Sequence, residues 1–263
     1  MTDHARPADA VARIHALHAR LDALSTETSR DFWTRTMKGV VPFRGVPMAG
    51  IRRAVHAWWR HDGPATLAPA DRKTLALALF EGDFGEDKLA GTLVLREILL
   101  EELANPDLEE LGALFDRGLI ADWNTCDWFC LKVLGGMVER DLPAREVAGA
   151  IAAWRDAPSL WQRRAANVAF VNLAKHGEQN FEGFTKLMLE TCAVTVQSAE
   201  RFAQTGVGWL LRELAEAEHA AVMAFLDAHL GLMSREAVRS VTERMPVSVK
   251  SPVLEKHRQV RAR

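Results

Sequence analysis

A tryptophan and an aspartate near the middle of the chain, Trp123 and Asp127, are four residues apart. In a helix, residues at this spacing project from one face, so an indole ring and a carboxylate would lie side by side. Such a pair can bind a cationic or cation-like ligand through the ring face and the negative charge. The alternative is that Trp123 packs against the core and Asp127 is a solvated acid in a first helical turn. The spacing alone favours this alternative.

The residues around the pair predict that a helix begins there. Asp122 or Asn124 can serve as its N-cap, because a short side-chain acceptor satisfies the N–H groups that a helix start leaves without partners.

Two adjacent arginines, Arg163 and Arg164, lie near the predicted start of a later helix. The positive end of the helix dipole disfavours cations there by about 0.3–1 kcal/mol. A phosphate partner would offset this cost through charge-assisted hydrogen bonds to the guanidinium groups. An acidic residue on a neighbouring helix would offset it as well, and the residues alone leave both interpretations open.

A second tryptophan, Trp209, lies among small residues, with Gly206 and Gly208 before it and Arg212 one turn later. The glycines either permit close helix packing or leave the indole face open. Without further information, core packing is the favoured interpretation.

These stretches belong to a set that occurs in order along the chain: Met37-Lys38, Pro42-Phe43-Arg44-Gly45-Val46, Arg52, Trp123-x-x-x-Asp127, 159–166 and 206–213. The set resembles the DNA alkylation repair enzyme family, glycosylases that are built from HEAT-like helical repeats. The resemblance covers most of the chain, from about Phe32 to Arg244.

The resemblance implies hydrolysis of the N-glycosidic bond of alkylated purines in duplex DNA, with cationic bases such as N3-methyladenine and N7-methylguanine as substrates. It assigns Asp127 as the carboxylate that stabilises an oxocarbenium-like transition state, and Trp123 and Trp209 as residues that contact the deoxyribose. It also implies a set of DNA-binding cations: Arg163, Arg164, Arg212, Arg52 and Lys38. No metal and no cofactor are expected, and the protein is expected to act as a monomer.

The chain departs from the family pattern in three places. Asp122 and Asn124 stand where the family often has a tryptophan and an acid, and Thr205 replaces a basic residue before the Gly-Trp pair. The segment Pro47-Met48-Ala49 replaces polar residues after Gly45. These departures concern the choice of substrate more than the catalytic centre.

Apolar residues recur with helical spacing along nearly the whole chain, and no segment has the alternation of a strand. The predicted inner helices begin near residues 124, 159 and 198, a pitch of 35 to 39 residues that is typical of HEAT-like repeats. The predicted fold is therefore all-α, a HEAT-like solenoid with a concave DNA-binding face. We expect one domain over residues 1–246 and a polar, basic tail over residues 247–263 that is frayed rather than a DNA-binding arm.

The composition restricts the class of protein. The formal net charge of −2 excludes a uniformly basic nucleic-acid coat, although a basic groove balanced by an acidic back would fit. Cys126, Cys130 and Cys192 form no CxxC motif and no zinc ligand set, which predicts buried, reduced thiols. The chain contains no signal-peptide core and no membrane span, so we expect a cytoplasmic protein, associated with the nucleoid if bacterial.

Two other functions fit the same fold. A non-catalytic HEAT module that binds DNA would need the arginines but neither Asp127 nor the tryptophans. A protein-interaction scaffold would present an apolar rather than a basic surface.

Overall fold

The computed structural model describes residues 7–140 and 144–262, which form helices and turns and contain no strand. The all-α prediction is therefore confirmed. The α-helices are, in chain order, α1 Pro7–Asp22, α2 Glu27–Met37, α3 Met48–His61, α4 Pro69–Ala78, α5 Gly85–Glu97, α6 Leu108–Asp116, α7 Trp123–Phe129, α8 Gly135–Glu139, α9 Ala144–Ala152, α10 Leu160–Val168, α11 Val171–Ala174, α12 Phe184–Thr195, α13 Arg201–Leu214, α14 His219–His229, α15 Arg235–Val241 and α16 Val247–Arg261. In the part of the chain that the structure describes, no helix is long and apolar enough to cross a membrane.

The chain divides into two compact units. The first comprises the residues up to Ala104 together with Arg117–Phe129, and so contains α1 to α5 and α7. The second comprises Asn105–Asp116 and the chain from Cys130 onward, and so contains α6 and α8 to α16.

The core of the first unit is built around α3, which packs against α1 and α5. One face of α3 is apolar, and Ile51, Val55 and Trp58 on that face are buried. The indole N–H of Trp58 donates to the backbone oxygen of Arg13 at 2.7 Å, so the polar atom of this buried ring is satisfied. The opposite face of α3 carries arginines and lies at the surface.

The break between α2 and α3, which contains Pro42, Gly45 and Pro47, is held by a buried carboxylate. Glu86 accepts hydrogen bonds from the backbone N–H groups of Arg44, Gly45 and Val46 at 2.9, 2.8 and 3.0 Å. Gly45 has a φ of 95°, and a Cβ atom there would collide with the carbonyl oxygen of Thr26. Glycine is therefore required at this turn.

The side chain of Arg44 is buried at the centre of a charged cluster. Its Nη1 lies 2.6 Å from Oδ1 of Asp87 and its Nε lies 2.8 Å from Oδ1 of Asp22, while its guanidinium stacks 4.1 Å above the Phe84 ring. Nε2 of His18 lies 3.2 Å from the same oxygen of Asp87. The cluster thus ties α1, the 42–47 segment and α5 together through paired charges.

The second unit consists of stacked helix pairs. Helix α10 packs against α13, and α13 packs against α15, while α9, α12 and α14 contact one another in the same order on the outside of that row. The inner helices begin at Leu160, Arg201 and Arg235, so the repeated helix pairs that the sequence predicts are confirmed for this unit.

Buried polar side chains join neighbouring repeats. The amide nitrogen of Gln204 donates to the carbonyl oxygens of Val196, Ser198 and Leu232 at 2.6, 2.8 and 3.2 Å, and its oxygen accepts from the N–H of Ser234 at 2.9 Å. One side chain on α13 therefore satisfies the backbone of the turns on both sides of it.

The expectation of a frayed C-terminus is wrong, because residues 247–261 form α16. Val253 and His257, one turn apart, are buried against the second unit, and Nε2 of His257 lies 2.9 Å from the carbonyl oxygen of Met233. The polar composition of the segment conceals this narrow buried face.

Three helical stretches of the chain are interrupted. Helix α5 ends at Glu97 and is followed by a 3₁₀ turn over Leu100–Glu102, and residues 159–175 are divided into α10 and α11. Helix α7 is followed by a π-helical turn over Cys130–Leu134.

Candidate functional site

The helix that carries the Trp–Asp pair begins where the sequence predicts, and Asp122 is its N-cap. Oδ1 of Asp122 accepts a 2.9 Å hydrogen bond from the N–H of Thr125, and its carbonyl oxygen accepts from the N–H of Cys126 at 3.0 Å. Asp122 is buried, as is Asn124, which was the other candidate cap. The buried cap fixes the direction in which α7 leaves the preceding turn.

Trp123 and Asp127 lie one turn apart on α7 in the first unit, and both are half-buried. Cys126, which lies between them in the sequence, is fully buried. Phe129, two residues after Asp127, packs edge-to-face against Phe80 with ring centroids 5.7 Å apart. Cys126 and Phe129 therefore supply the core anchors of this helix. Trp123 and Asp127 occupy its partly accessible side, where both can contact a ligand.

A half-buried lysine in the same unit is a residue that the sequence analysis missed. Nζ of Lys88 donates to the carbonyl oxygen of Phe80 at 2.6 Å. Burial lowers the pKa of Lys88, and the nearby negative charges of Asp122, Asp87 and Asp83 act in the opposite direction. A single lysine within a long amphipathic helix gives no signal of this environment in the sequence.

The π-helical turn that follows α7 was also missed. Such turns are rare in proteins and occur frequently at functional sites. Directly after it, Gly135 approaches the 169–170 break between α10 and α11 so closely that a Cβ atom would lie 2.6 Å from the carbonyl oxygen of Ala169. The glycine permits this contact.

Arg163 is paired with an acid, which is one of the two interpretations that the sequence left open. Its Nη2 forms an ion pair with Oε2 of Glu200, and its Nη1 donates to the carbonyl oxygens of Ala157 and Pro158, both at 2.7 Å. These bonds hold the guanidinium at the start of α10, where the chain enters the helix.

Arg164 is only 5% exposed. Its Nη1 donates to the carbonyl oxygen of Phe202 at 2.8 Å and to the hydroxyl oxygen of Thr205 at 3.1 Å. A Cβ atom on Gly206 would lie 3.5 Å from the Arg164 side chain, in ordinary van der Waals contact, so the Arg164 side chain lies directly against this part of α13. Arg164 thus joins α10 to α13 in addition to any role toward DNA.

Trp209 and Arg212 lie one turn apart on α13, and both are half-buried. Gly208 next to Trp209 permits close helix packing, since a Cβ atom there would lie 2.9 Å from the Cα and carbonyl oxygen of Ala237 on α15. Arg212 is paired with Glu213, at 3.0 Å from Nε to Oε1, and with Glu243.

The two predicted DNA-binding cations of the first unit differ in their surroundings. Lys38 is exposed and caps the C-terminus of α2 with a φ of 52°, in the left-handed region. Arg52 lies on the exposed face of α3, and its Nε is 2.7 Å from Oε1 of Glu97.

The arginine–glutamate pairs of the second unit repeat with the helix pairs. Arg163 pairs with Glu200 at the start of the next inner helix, and Arg201 pairs with Glu236 at the start of the one after that. The hydrogen bonds from Arg201 lower the pKa of Glu236. The sequence signal for this pattern is an arginine and a glutamate that recur at the pitch of the repeats, and the sequence analysis did not use it.

Comparison with known proteins assigns the chain to a family. The family model described as DNA alkylation repair enzyme matches residues 17–245. This chain belongs to the DNA alkylation repair enzyme family.

A solved structure agrees in fold. It is described as a predicted DNA alkylation repair enzyme from Enterococcus faecalis, and it matches with a TM-score of 0.69 and 17% sequence identity over 84% of this chain and 96% of its own. No curated protein sequence gives a match. All the candidate site residues of the sequence analysis lie inside the part of the chain that the family model covers.

The places where this member departs from the usual family pattern have structural roles. Asp122 is the N-cap of α7, Pro47 precedes the first turn of α3 as its N-cap, and Thr205 accepts the hydrogen bond of Arg164. Asp122, Pro47 and Thr205 are thus accommodated by the local fold.

Proposed function

We propose that this chain is a DNA glycosylase that hydrolyses the N-glycosidic bond of cationic alkylated purines, such as N3-methyladenine and N7-methylguanine, in duplex DNA. The observation that carries the proposal is the Trp123–Asp127 pair on α7 in a chain of the DNA alkylation repair enzyme family. Both side chains are half-buried on one side of a helix whose start is fixed by the buried Asp122 cap.

The chemistry requires few protein groups. A cationic purine leaves with the electron pair of the C1′–N bond and becomes neutral, so it needs no general acid. The positive charge passes to C1′ and the ring oxygen of the sugar, where the carboxylate of Asp127 stabilises it. Water then adds to C1′ and loses a proton, which leaves an abasic deoxyribose and the free base.

The tryptophans and cations have supporting roles in this proposal. Trp123 presents its ring face to the deoxyribose beside Asp127, and Trp209 contacts sugar through the accessible part of its half-buried ring. The cations that would neutralise phosphates are Arg163, Arg164, Arg212, Arg52 and Lys38. Arg163, Arg212 and Arg52 are each ion-paired with a glutamate, which restrains these side chains before DNA binds.

Release of free base tests the proposal. The full chain, in excess over a duplex that contains one N7-methylguanine, should release N7-methylguanine and leave an abasic site much faster than spontaneous depurination. An unmodified duplex is the control for non-specific cleavage. Binding to DNA without any release of the base would identify a non-catalytic DNA-binding module instead.

A further inference from the structure

The exposed face of α3 carries a row of basic side chains that the proposed catalytic chemistry does not use. Arg52, Arg53, His56 and Arg60 follow one another at helical spacing and, with Ala49, line a surface groove of about 630 Å³. The opposite face of the helix is buried, so the row is fixed to the core of the first unit and cannot turn away.

The charges of this row are only partly balanced. Glu97 on α5 binds Arg52 and His56, with one carboxylate oxygen 2.7 Å from Nε of Arg52 and the other 2.7 Å from Nε2 of His56. Among the residues that the structure describes, no carboxylate lies within ion-pair distance of Arg53 or Arg60. The Nε of Arg60 donates instead to the carbonyl oxygen of His56 at 3.1 Å.

Such an arrangement is unfavourable without an anion. Like charges on adjacent turns of a helix repel each other, and the chain as a whole is slightly acidic, with a net charge of −2. A concentration of unbalanced arginines on an acidic protein therefore indicates a local anion-binding surface rather than a general excess of basic residues.

We propose that Arg52, Arg53, His56 and Arg60 form a binding strip for the sugar–phosphate backbone of duplex DNA, and that Glu97 positions Arg52 and His56 and limits the affinity of the strip. The proposal adds Arg53, Arg60, His56 and Glu97 to the DNA contacts and rests on the proposed function only for the identity of the polyanion.

The length of the strip fits a DNA strand. From Arg52 to Arg60 the helix rises about 12 Å, at 1.5 Å per residue. Along the duplex axis a strand of B-DNA rises about 3.4 Å per phosphate, so a strip parallel to that axis spans about three nucleotide steps. The planar guanidinium groups can bind phosphate oxygens in pairs, which favours arginine over lysine at such a surface.

The chemistry of the groove favours DNA over the other anionic partners. Ala49 is the apolar residue of the lining, so the groove lacks the bulky apolar side chains with which a helix enters a membrane surface. It also lacks an aromatic pocket for the anchor residue of an acidic peptide.

Glu97 has a defined part in this arrangement. Burial tends to raise its pKa, but the hydrogen bonds from His56 and Arg52 outweigh this effect and lower the pKa, so the carboxylate is charged at neutral pH. Its carboxylate holds the side chains of Arg52 and His56 in place, and its negative charge at the same time repels an incoming phosphate. Its removal should therefore strengthen binding.

The experiment measures the binding of the full chain to an undamaged, fluorescently labelled duplex as a function of salt. Arg53→Ala/Arg60→Ala should make the negative slope of log K against log salt shallower by up to about 1.8, since each phosphate contact contributes about 0.9 to its magnitude. Glu97→Gln should raise the affinity about 3- to 10-fold at low salt, as expected for one charge near a phosphate. The matched control is Arg239→Ala/Arg261→Ala, which removes two exposed arginines from α15 and α16 and causes the same change in net charge.

The two proposals fail separately in this design. If the strip binds DNA, Arg53→Ala/Arg60→Ala weakens the binding of the undamaged duplex, and this result does not depend on whether the wild-type chain excises N7-methylguanine. If Arg53→Ala/Arg60→Ala changes the slope but the wild-type chain has no excision activity, the proposal of the DNA-binding strip stands and the proposed glycosylase function is refuted. Equal slopes for the strip variant and its control would refute the strip.

Other outcomes would also overturn the assignment. The proposed occupant is wrong if the variant loses binding to a poly-glutamate peptide or to phosphatidylserine vesicles while its DNA slope stays unchanged. Unchanged or weaker DNA binding by Glu97→Gln would refute the part given to Glu97. If the alanine variant melts below the wild type, Arg53→Gln/Arg60→Gln retains the side-chain packing and provides the same test.

Discussion

Arg163 and Glu200 form an ion pair between the start of α10 and the start of α13. The cation that the family resemblance assigns to a DNA phosphate is thus already bound to a carboxylate in the free protein. The same relationship recurs one repeat later, where Arg201 and Glu236 form two hydrogen bonds of 2.8 and 2.7 Å. DNA must therefore compete with glutamates for these guanidinium groups, unless a phosphate binds their remaining N–H donors.

The first prediction concerns the competition at Arg163. If this arginine contacts a phosphate, Arg163→Ala lowers the slope of log K against log salt for duplex DNA by about 0.9. Glu200→Gln removes the competing charge and raises the affinity at low salt. Arg201→Ala removes the corresponding arginine of the next repeat and is the matched comparison. A slope that Arg163→Ala leaves at the wild-type value would mean that the arginine serves only the helix start.

The second prediction separates two roles of Arg164. Its buried guanidinium bonds α13, so Arg164→Ala leaves the carbonyl oxygen of Phe202 and the hydroxyl of Thr205 without this donor. A buried hydrogen bond to a charged group contributes about 1.5–3 kcal/mol, and we expect the free energy of unfolding to fall by that order in a urea titration. Arg212→Ala, which removes a half-buried surface pair, should cost about 1 kcal/mol or less. Wild-type stability of Arg164→Ala would contradict the structural role.

The third prediction concerns the contact between α13 and α15. A methyl group at position 208 would lie 2.9 Å from the backbone of Ala237, so Gly208→Ala must push the helices apart and should destabilise the fold by about 1–3 kcal/mol. At position 149, in α9, a Cβ atom meets nothing within 4 Å, and Gly149→Ala should be neutral or stabilising through its higher helix propensity. Thermal melts of the two variants measure the difference.

The fourth prediction is a dependence of stability on pH at the buried charge cluster of the first unit. Burial raises the pKa of Asp87, but the hydrogen bond from His18 and the charge of Arg44 outweigh this and lower it. Because the pKa is lower in the folded state, the stabilisation is complete above the unfolded value of about 3.9 and is lost as the pH falls through the folded pKa. Asp87→Asn should lower the free energy of unfolding by about 3–5 kcal/mol at pH 7, since it leaves Arg44 buried without its main partner.

The control for this cluster is Asp22→Asn, because Asp22 pairs with the same arginine but its side chain is 64% exposed. Asp22→Asn should lower the free energy of unfolding at pH 7 by much less than Asp87→Asn does. The difference in the free energy of unfolding between the wild type and Asp87→Asn should become smaller below about pH 4. A constant difference from pH 7 to pH 3 would show that the negative charge of Asp87 does not stabilise the fold.

The sequence predicts those parts of the fold that depend on local patterns. Helical spacing of apolar residues predicts the helices and their repetition, and the short acid Asp122 predicts the start of α7. The sequence does not reveal contacts that depend on distant partners. Whether Arg163 binds a phosphate or an acid depended on Glu200, which is 37 positions later and reaches Arg163 only when α10 and α13 pack side by side.

The misses have the same physical origin. Helix α16 has a polar composition, and only two residues one turn apart, Val253 and His257, give it a buried face. The π-helical turn after α7 has no specific sequence signal, because it depends on how the helix meets its neighbours. Candidate site residues on helices, such as Trp123 and Asp127, are visible in the sequence only because their residue types are unusual together.

The last prediction tests the catalytic role of Asp127 against a structural one. Asp127→Asn keeps the shape of the side chain and removes the charge that would face the oxocarbenium-like transition state. A well-placed electrostatic group of this kind contributes about 2.7–4 kcal/mol, so single-turnover excision of N7-methylguanine should fall by roughly 10²–10³. DNA binding and the melting temperature should stay close to the wild type, because Asp127 is half-buried and α7 is anchored by Phe129.

Trp123→Ala and Trp209→Ala should also slow excision, but with some loss of binding, since each indole would touch the sugar in the ground state too. A purely structural role gives the opposite pattern, in which Asp127→Asn excises normally and each Trp→Ala lowers stability by about 3–5 kcal/mol. Normal excision by Asp127→Asn would refute the catalytic assignment, whereas a slow Asp127→Asn with unchanged binding is the result that only a transition-state role explains.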